Sequence, residues 1–102
     1  MVAPDVQRLA AVVVEDQVVF TLTALCRASG ADDEQVRALV FEGVLLPSGQ
    51  RPDEWRFEGQ ALRRTRTALR LARDLELGFP ALAVVMDLLA EVEHLRARLR
   101  RG

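Results

Sequence analysis

Apolar residues change their spacing several times along this chain, and each change marks an element. Residues 11–14 and 18–20 are β-branched apolar runs around Glu15, Asp16 and Gln17, a pattern that predicts two short strands joined by a polar turn. That turn contains no Gly or Pro, so one continuous strand through Val13, Val14, Val18 and Val19 is the alternative. From Thr21 the period becomes helical: Leu22, Leu25, Cys26 and Ser29 share a face, Thr21 or Thr23 can cap the start, and Gly30 supplies a left-handed stop. Asp32 then opens a second helix, with Gln35 as its capping-box partner, Val36, Leu39 and Val40 as the buried stripe, and Gly43 as its end.

Two short helices joined through a Gly-containing turn form a helix-turn-helix candidate. Residues 48–54 are rich in turn formers, and Trp55-Arg56-Phe57 follows as a brief strand, which is the pattern of a wing whose strand pairs with one of the N-terminal strands. Residues 59–77 read as a helix with Leu62, Leu69, Ala72 and Leu75 inward, Arg63, Arg64, Arg66, Arg70 and Arg73 mostly outward, and Gly78 as its terminator. Pro80 suits the first turn of a last helix over residues 80–101. Within it Val85, Leu88, Val92, Leu95 and Leu99 succeed one another at steps of three and four, a heptad seam. The preferred reading of that seam is a homodimer interface. The alternative is a terminal helix folded back as an antiparallel hairpin on the helix before it.

The expected fold is therefore mainly α with a small β element. A winged helix-turn-helix with a small sheet (residues 11–57) is followed by two longer helices, all in one domain spanning residues 1–102, with residues 1–7 as a frayed terminus. The single Cys, Cys26, excludes an intramolecular disulfide, and one Cys with one His, His94, cannot complete a zinc set. Cys26 reads as a small core residue and His94 as a surface or interface residue; no catalytic, cofactor or metal residue and no small-molecule substrate is predicted. Neither a secretory signal nor a membrane span is legible, and the expected compartment is the cytoplasm.

Charge sharpens the picture through its distribution. Up to Trp55 four Arg face nine acids, a net of −5, whereas from Arg56 onward ten Arg face six acids, a net of +4. An acidic front half is the wrong sign for docking on a polyanion and suits a protein partner.

The run Phe20-Thr21-Leu22-Thr23-Ala24-Leu25-Cys26-Arg27-Ala28-Ser29-Gly30, then Glu42-Gly43-Val44-Leu45-Leu46-Pro47 and Trp55-Arg56-Phe57, resembles the N-terminal winged helix-turn-helix of the MerR regulator superfamily. Together with Leu71-Ala72-Arg73-Asp74-Leu75-Glu76-Leu77, Phe79-Pro80 and Glu93-His94-Leu95 to Leu99, the ordered set is similar to the chaperone-modulator family CbpM over residues 12–100. That resemblance implies a non-enzymatic regulator. It would bind the J-domain of a DnaJ-like co-chaperone of the CbpA type and inhibit both its stimulation of DnaK and its DNA binding. Any association with the nucleoid would then run through the partner.

The residues bear on this independently. A DNA-reading second helix needs cations on its outer face, but this one carries Asp32, Asp33, Glu34 and Glu42 against Arg37, with Ala38 and Leu39 where MerR-type helices carry aromatic phosphate contacts. The acids also have an ordinary role at a helix N-terminus. Direct DNA binding is not expected of this face. The candidate J-domain surface is Asp32, Asp33, Glu34 and Glu42, with Arg37 and the wing residue Arg56 pairing acids on the partner. Trp55 is either a core residue beneath the wing or an interface anchor. Two other readings remain: a small MerR-like DNA-binding transcription regulator using the Arg-rich helix and the wing, and a purely structural coiled-coil adaptor.

Overall fold

In the computed structural model, which describes residues 11–14 and 17–102 and the side chains from Val18 onward, strand β1 (Ala11–Val14) pairs antiparallel with β2 (Gln17–Phe20). The register runs from Ala11 opposite Phe20 to Val14 opposite Gln17, so the segment is two strands and not one. Gln17, expected in the polar turn, instead opens β2 opposite Val14; Glu15 and Asp16 of that turn, and the expected frayed terminus, lie outside the described residues. Strand β3 (Phe57–Glu58) adds to the far side of β2 in the order β1-β2-β3. Phe57 is thereby the register partner of Phe20, and both rings are buried. Directly opposed aromatics of this kind stabilise a short ladder that has few hydrogen bonds of its own.

Local chemistry sets the helix ends. Helix α1 (Leu22–Ser29) starts where Thr21 Oγ1 accepts the Ala24 amide at 3.1 Å, and stops at Gly30 with φ +83°. Helix α2 (Asp33–Phe41) begins with the full capping box: Asp32 accepts the Gln35 amide at 2.8 Å and the Gln35 side chain accepts the Asp32 amide at 3.0 Å. Its far end is a Schellman turn, in which the Val44 amide reaches the Leu39 carbonyl, the Gly43 amide reaches Val40, and Gly43 takes φ +81°. Leu39 and Val44, the pair that such a turn brings together, are both buried.

The wing is closed by reciprocal 3.0 Å backbone bonds between Ser48 and Arg56. Gly49 inside it has φ +99°, and a Cβ there would stand 2.5 Å from the Glu54 carbonyl oxygen, so only glycine fits. Trp55 is half-buried, packs against the core and meets Phe57 edge-on with ring centroids 6.0 Å apart, the placement of a residue beneath the wing.

Helix α3 (Gln60–Asp74) and helix α4 (Phe79–Arg101) complete the order. The inward face of α3 differs from the expected leucine stripe. Ala61, Thr65 and Ala68 are its buried positions, Leu62, Leu69 and Ala72 are half-buried flanks, and Leu75 is 56% exposed beyond the helix end. The helix is packed on two sides, against α1 and against α4, so its central row must be small for both neighbours to approach. Gly78 is not the terminator either. The chain leaves α3 through Glu76, which takes φ +51°, and Gly78 caps the start of α4. Leu82 and Met86 insert the first turns of α4 into the core cluster that also contains Leu25, Leu39 and Ala68.

Candidate functional site

On α2 the capping box and the buried residues Val36 and Leu39 fix the roll of the helix, and this decides what faces outward. Asp33, Glu34 and Arg37 are exposed. The charges are not independent. Arg37 reaches back one turn to clasp Asp33, its Nε on Oδ1 and a terminal nitrogen 3.4 Å from Oδ2, with the two side chains 50% and 58% exposed. Asp32 is occupied as the helix cap. Glu34, exposed, and Glu42, half-buried, are therefore the carboxylates of this face that neither cap the helix nor make an ion pair among the described residues. Leu39, expected in the buried stripe although it stands where MerR-type helices carry an aromatic phosphate contact, is fully buried and serves the core.

Arg56 lies on the wing, where its guanidinium donates to the neighbouring Trp55 carbonyl at 2.8 Å. Arg51 is held nearby by Glu54 at 3.2 Å and Asp53 at 3.6 Å. No ion pair joins Arg56 to the acids of α2 among the described residues. The helix and the wing thus present their charges separately.

Cys26 is half-buried on α1. Burial first, and then the negative charges of Asp33 and Asp32, push its thiol above the ordinary cysteine range, while Arg37 pulls weakly the other way. A thiol held protonated is a poor nucleophile. Among the described residues no group of three or more His, Cys, Asp or Glu side chains could hold a metal ion, and no helix is long and apolar enough to cross a membrane.

The arginines of α3 are partly used up inside the fold. Arg66 donates to the Ala28 carbonyl at 2.9 Å, satisfying the last turn of α1, and Arg73 pairs with Asp74 at 3.1 Å, whereas the Nε of Arg64 is buried without a hydrogen-bond partner among the described residues. Arg63 and Arg70 remain exposed.

Helices α3 and α4 do form an antiparallel hairpin: Gln60 and Thr67 of α3 line one cleft with Met86 and Glu93 of α4. The hairpin nevertheless leaves the heptad seam open. Val85 is half-buried, but Leu88 is 61%, Val92 42%, Leu95 47% and Leu99 81% exposed. The final two turns of α4 continue past the cleft that holds the first residue of α3.

Two side chains that the apolar spacing did not flag stand out on the helix-turn-helix. Phe41, the last residue of α2, is 86% exposed, and Leu46, just after the Gly43 turn, is 85% exposed. The signal was available for Phe41, which lies seven residues after Glu34 and therefore on the polar side of the helix, out of phase with Val36, Leu39 and Val40. Leu46 gave none, since Val44-Leu45-Leu46 reads as one buried run.

Comparison with known proteins agrees with this geometry. Residues 20–101 match the family described as MerR HTH family regulatory protein. The chain is 31% identical over 94 residues to the chaperone modulatory protein CbpM of Coxiella burnetii (strain Dugway 5J108-111), covering 92% of this chain and 89% of the relative. It is 36% identical over 76 residues to the protein of the same name from Pseudomonas putida (strain F1), covering 74% and 75%. With a matched winged helix-turn-helix, a matched helical tail and relatives aligned over most of their length, the chain belongs to the MerR-type helix-turn-helix regulatory family and, within it, to the CbpM chaperone modulatory proteins.

Proposed function

We propose that this protein is a non-enzymatic regulator that binds the J-domain of a DnaJ-like co-chaperone of the CbpA type and inhibits both its stimulation of DnaK and its DNA binding. The observation that carries this reading is the clasp of Arg37 by Asp33, which leaves the outer surface of α2 dominated by carboxylate. A helix in that state repels a phosphate array and releases no counterions on meeting one. It complements a basic protein surface, and the second helix of a J-domain is generally basic in this family. The docking face comprises Asp32, Asp33, Glu34, Arg37 and Glu42, with Arg56 contributed by the wing. The names of the CbpM relatives support a chaperone partner.

The seam formed by Val85, Leu88, Val92, Leu95 and Leu99 is covered, on this reading, by a second copy of the chain. A stripe of this length is a liability on a lone molecule, and the hairpin with α3 does not hide it. Light scattering should give a dimer for the wild type and a monomer for Leu95→Asp.

The second reading, a DNA-binding regulator, is favoured by one observation, the exposed Arg63 and Arg70 of α3. One assay set decides between the two. Adding the protein to DnaK with a CbpA-type co-chaperone should suppress the stimulated ATPase, and random duplex at low salt should not be shifted. Tight, steeply salt-dependent duplex binding without any effect on the ATPase would replace the first reading with the second.

A further inference from the structure

We propose that Phe41, with Leu46 across the Gly43 turn, is the apolar anchor of the partner-binding face, and that its ligand is a polypeptide surface on which Lys or Arg side chains ring an apolar residue. This inference rests on the reading of the acidic helix as a protein-docking face and adds what charge alone cannot supply.

On a 3.6-residue helix Glu34, Ala38 and Phe41 form one stripe at steps of four and three, with Arg37 beside it. That stripe lies opposite Val36 and Leu39, so Phe41 points away from the core, in keeping with its 86% exposure. A phenylalanine so placed gives up the hydrophobic stabilisation that most side chains of its size obtain on folding. Leu46 makes the same sacrifice at 85% exposure, although its neighbours Val44 and Leu45 are buried. Five residues of chain separate the two positions by at most about 18 Å. Both therefore fall within the footprint of one ordinary interface, about 800 Å² per partner.

The surroundings select the occupant. With Arg37 neutralised by Asp33, the field around Phe41 is set by Glu34 one way along the helix and Glu42 the other, and neither makes an ion pair among the described residues. An aromatic anchor rimmed by carboxylates complements an apolar side chain rimmed by cations, and it disfavours both nucleic acid and an acidic peptide. Large apolar groups at the centre with charges at the rim is also the usual division of labour in protein interfaces: the centre sets affinity and the rim sets rate and salt dependence.

The test uses full-length protein and a purified J-domain from a CbpA-type co-chaperone, titrated calorimetrically at several salt concentrations. Phe41→Ser and Leu46→Ser should each keep the wild-type melting curve and weaken binding at least tenfold, with an unchanged slope of log affinity against log salt. Phe41→Leu should bind close to wild type. Glu34→Arg should instead flatten the salt slope. If both serine variants bind like the wild type while Glu34→Arg weakens binding, the anchor is refuted and the docking reading survives. If the wild type does not bind the J-domain at all, both fall. If Phe41→Ser leaves J-domain affinity intact but dissociates a wild-type oligomer, the patch belongs to a contact between copies and the inference is overturned.

Discussion

Arg37 lies one turn after Asp33 on the same face of α2 and clasps its carboxylate with two guanidinium nitrogens. In a winged helix-turn-helix that reads DNA, a cation at such a place would be turned toward phosphate. Here it is spent within its own helix, next to three further acids in Asp32, Glu34 and Glu42.

Arg37→Ala removes that internal counter-charge and leaves the acids facing outward. Because the pair is half exposed and screened by solvent, the urea midpoint should move little. Stopped-flow association with a J-domain should become faster and more salt-dependent. Slower association would mean that Arg37 pairs with an acid on the partner.

Glu76 occupies the left-handed region, φ +51°, at the exit from α3, where a glycine is the usual residue. Its Cβ makes this conformation costly, and the strain relieved by Glu76→Gly exceeds the extra chain entropy that glycine loses on folding. The variant should be more stable by about 0.5–1 kcal/mol, measured from the urea midpoint at unchanged slope. A lower midpoint would show that the glutamate side chain contributes more than its backbone costs.

The Cys26 thiol should titrate above its ordinary value of about 8.5, because burial, then Asp33 and Asp32, disfavour the thiolate. The sign for stability follows from the neutral form being preferred in the folded state. This contribution is complete below the unfolded value and is lost as the pH rises through the raised one. Alkylation of native protein followed against pH by mass spectrometry should give an apparent pKa above that of the urea-unfolded chain. Asp33→Asn should bring it down, since it removes a nearby negative charge and frees Arg37 as well. A native thiol as reactive as the unfolded one would contradict the assignment.

Where a helix begins or ends on a local signal, the sequence is a faithful guide. Thr21, Gly30, the Asp32–Gln35 box and Gly43 each act at the place their chemistry indicates, because capping bonds span only a few residues. The wing strand is legible too, since turn formers must precede it. The inward face of α3 was not legible in the same way. Its leucines suggest a single buried stripe, whereas a helix held between two neighbours must place Ala61, Thr65 and Ala68 at the closest approach. Leu75 and Gly78 depart together from their expected roles, because the left-handed exit falls on Glu76, a residue with no propensity to advertise it.

Residue order by itself determined the succession of strand, helix pair, wing and two long helices, the excess of acid in the front half and the heptad seam, since each depends on neighbours within a turn or two. Tertiary structure decided which of those charges remain outward and unpaired, that the hairpin with α3 leaves the seam uncovered, and that Phe41 and Leu46 are sent to the surface. These outcomes depend on how whole elements roll and pack against one another, and that packing is settled only when distant segments compete for the same core.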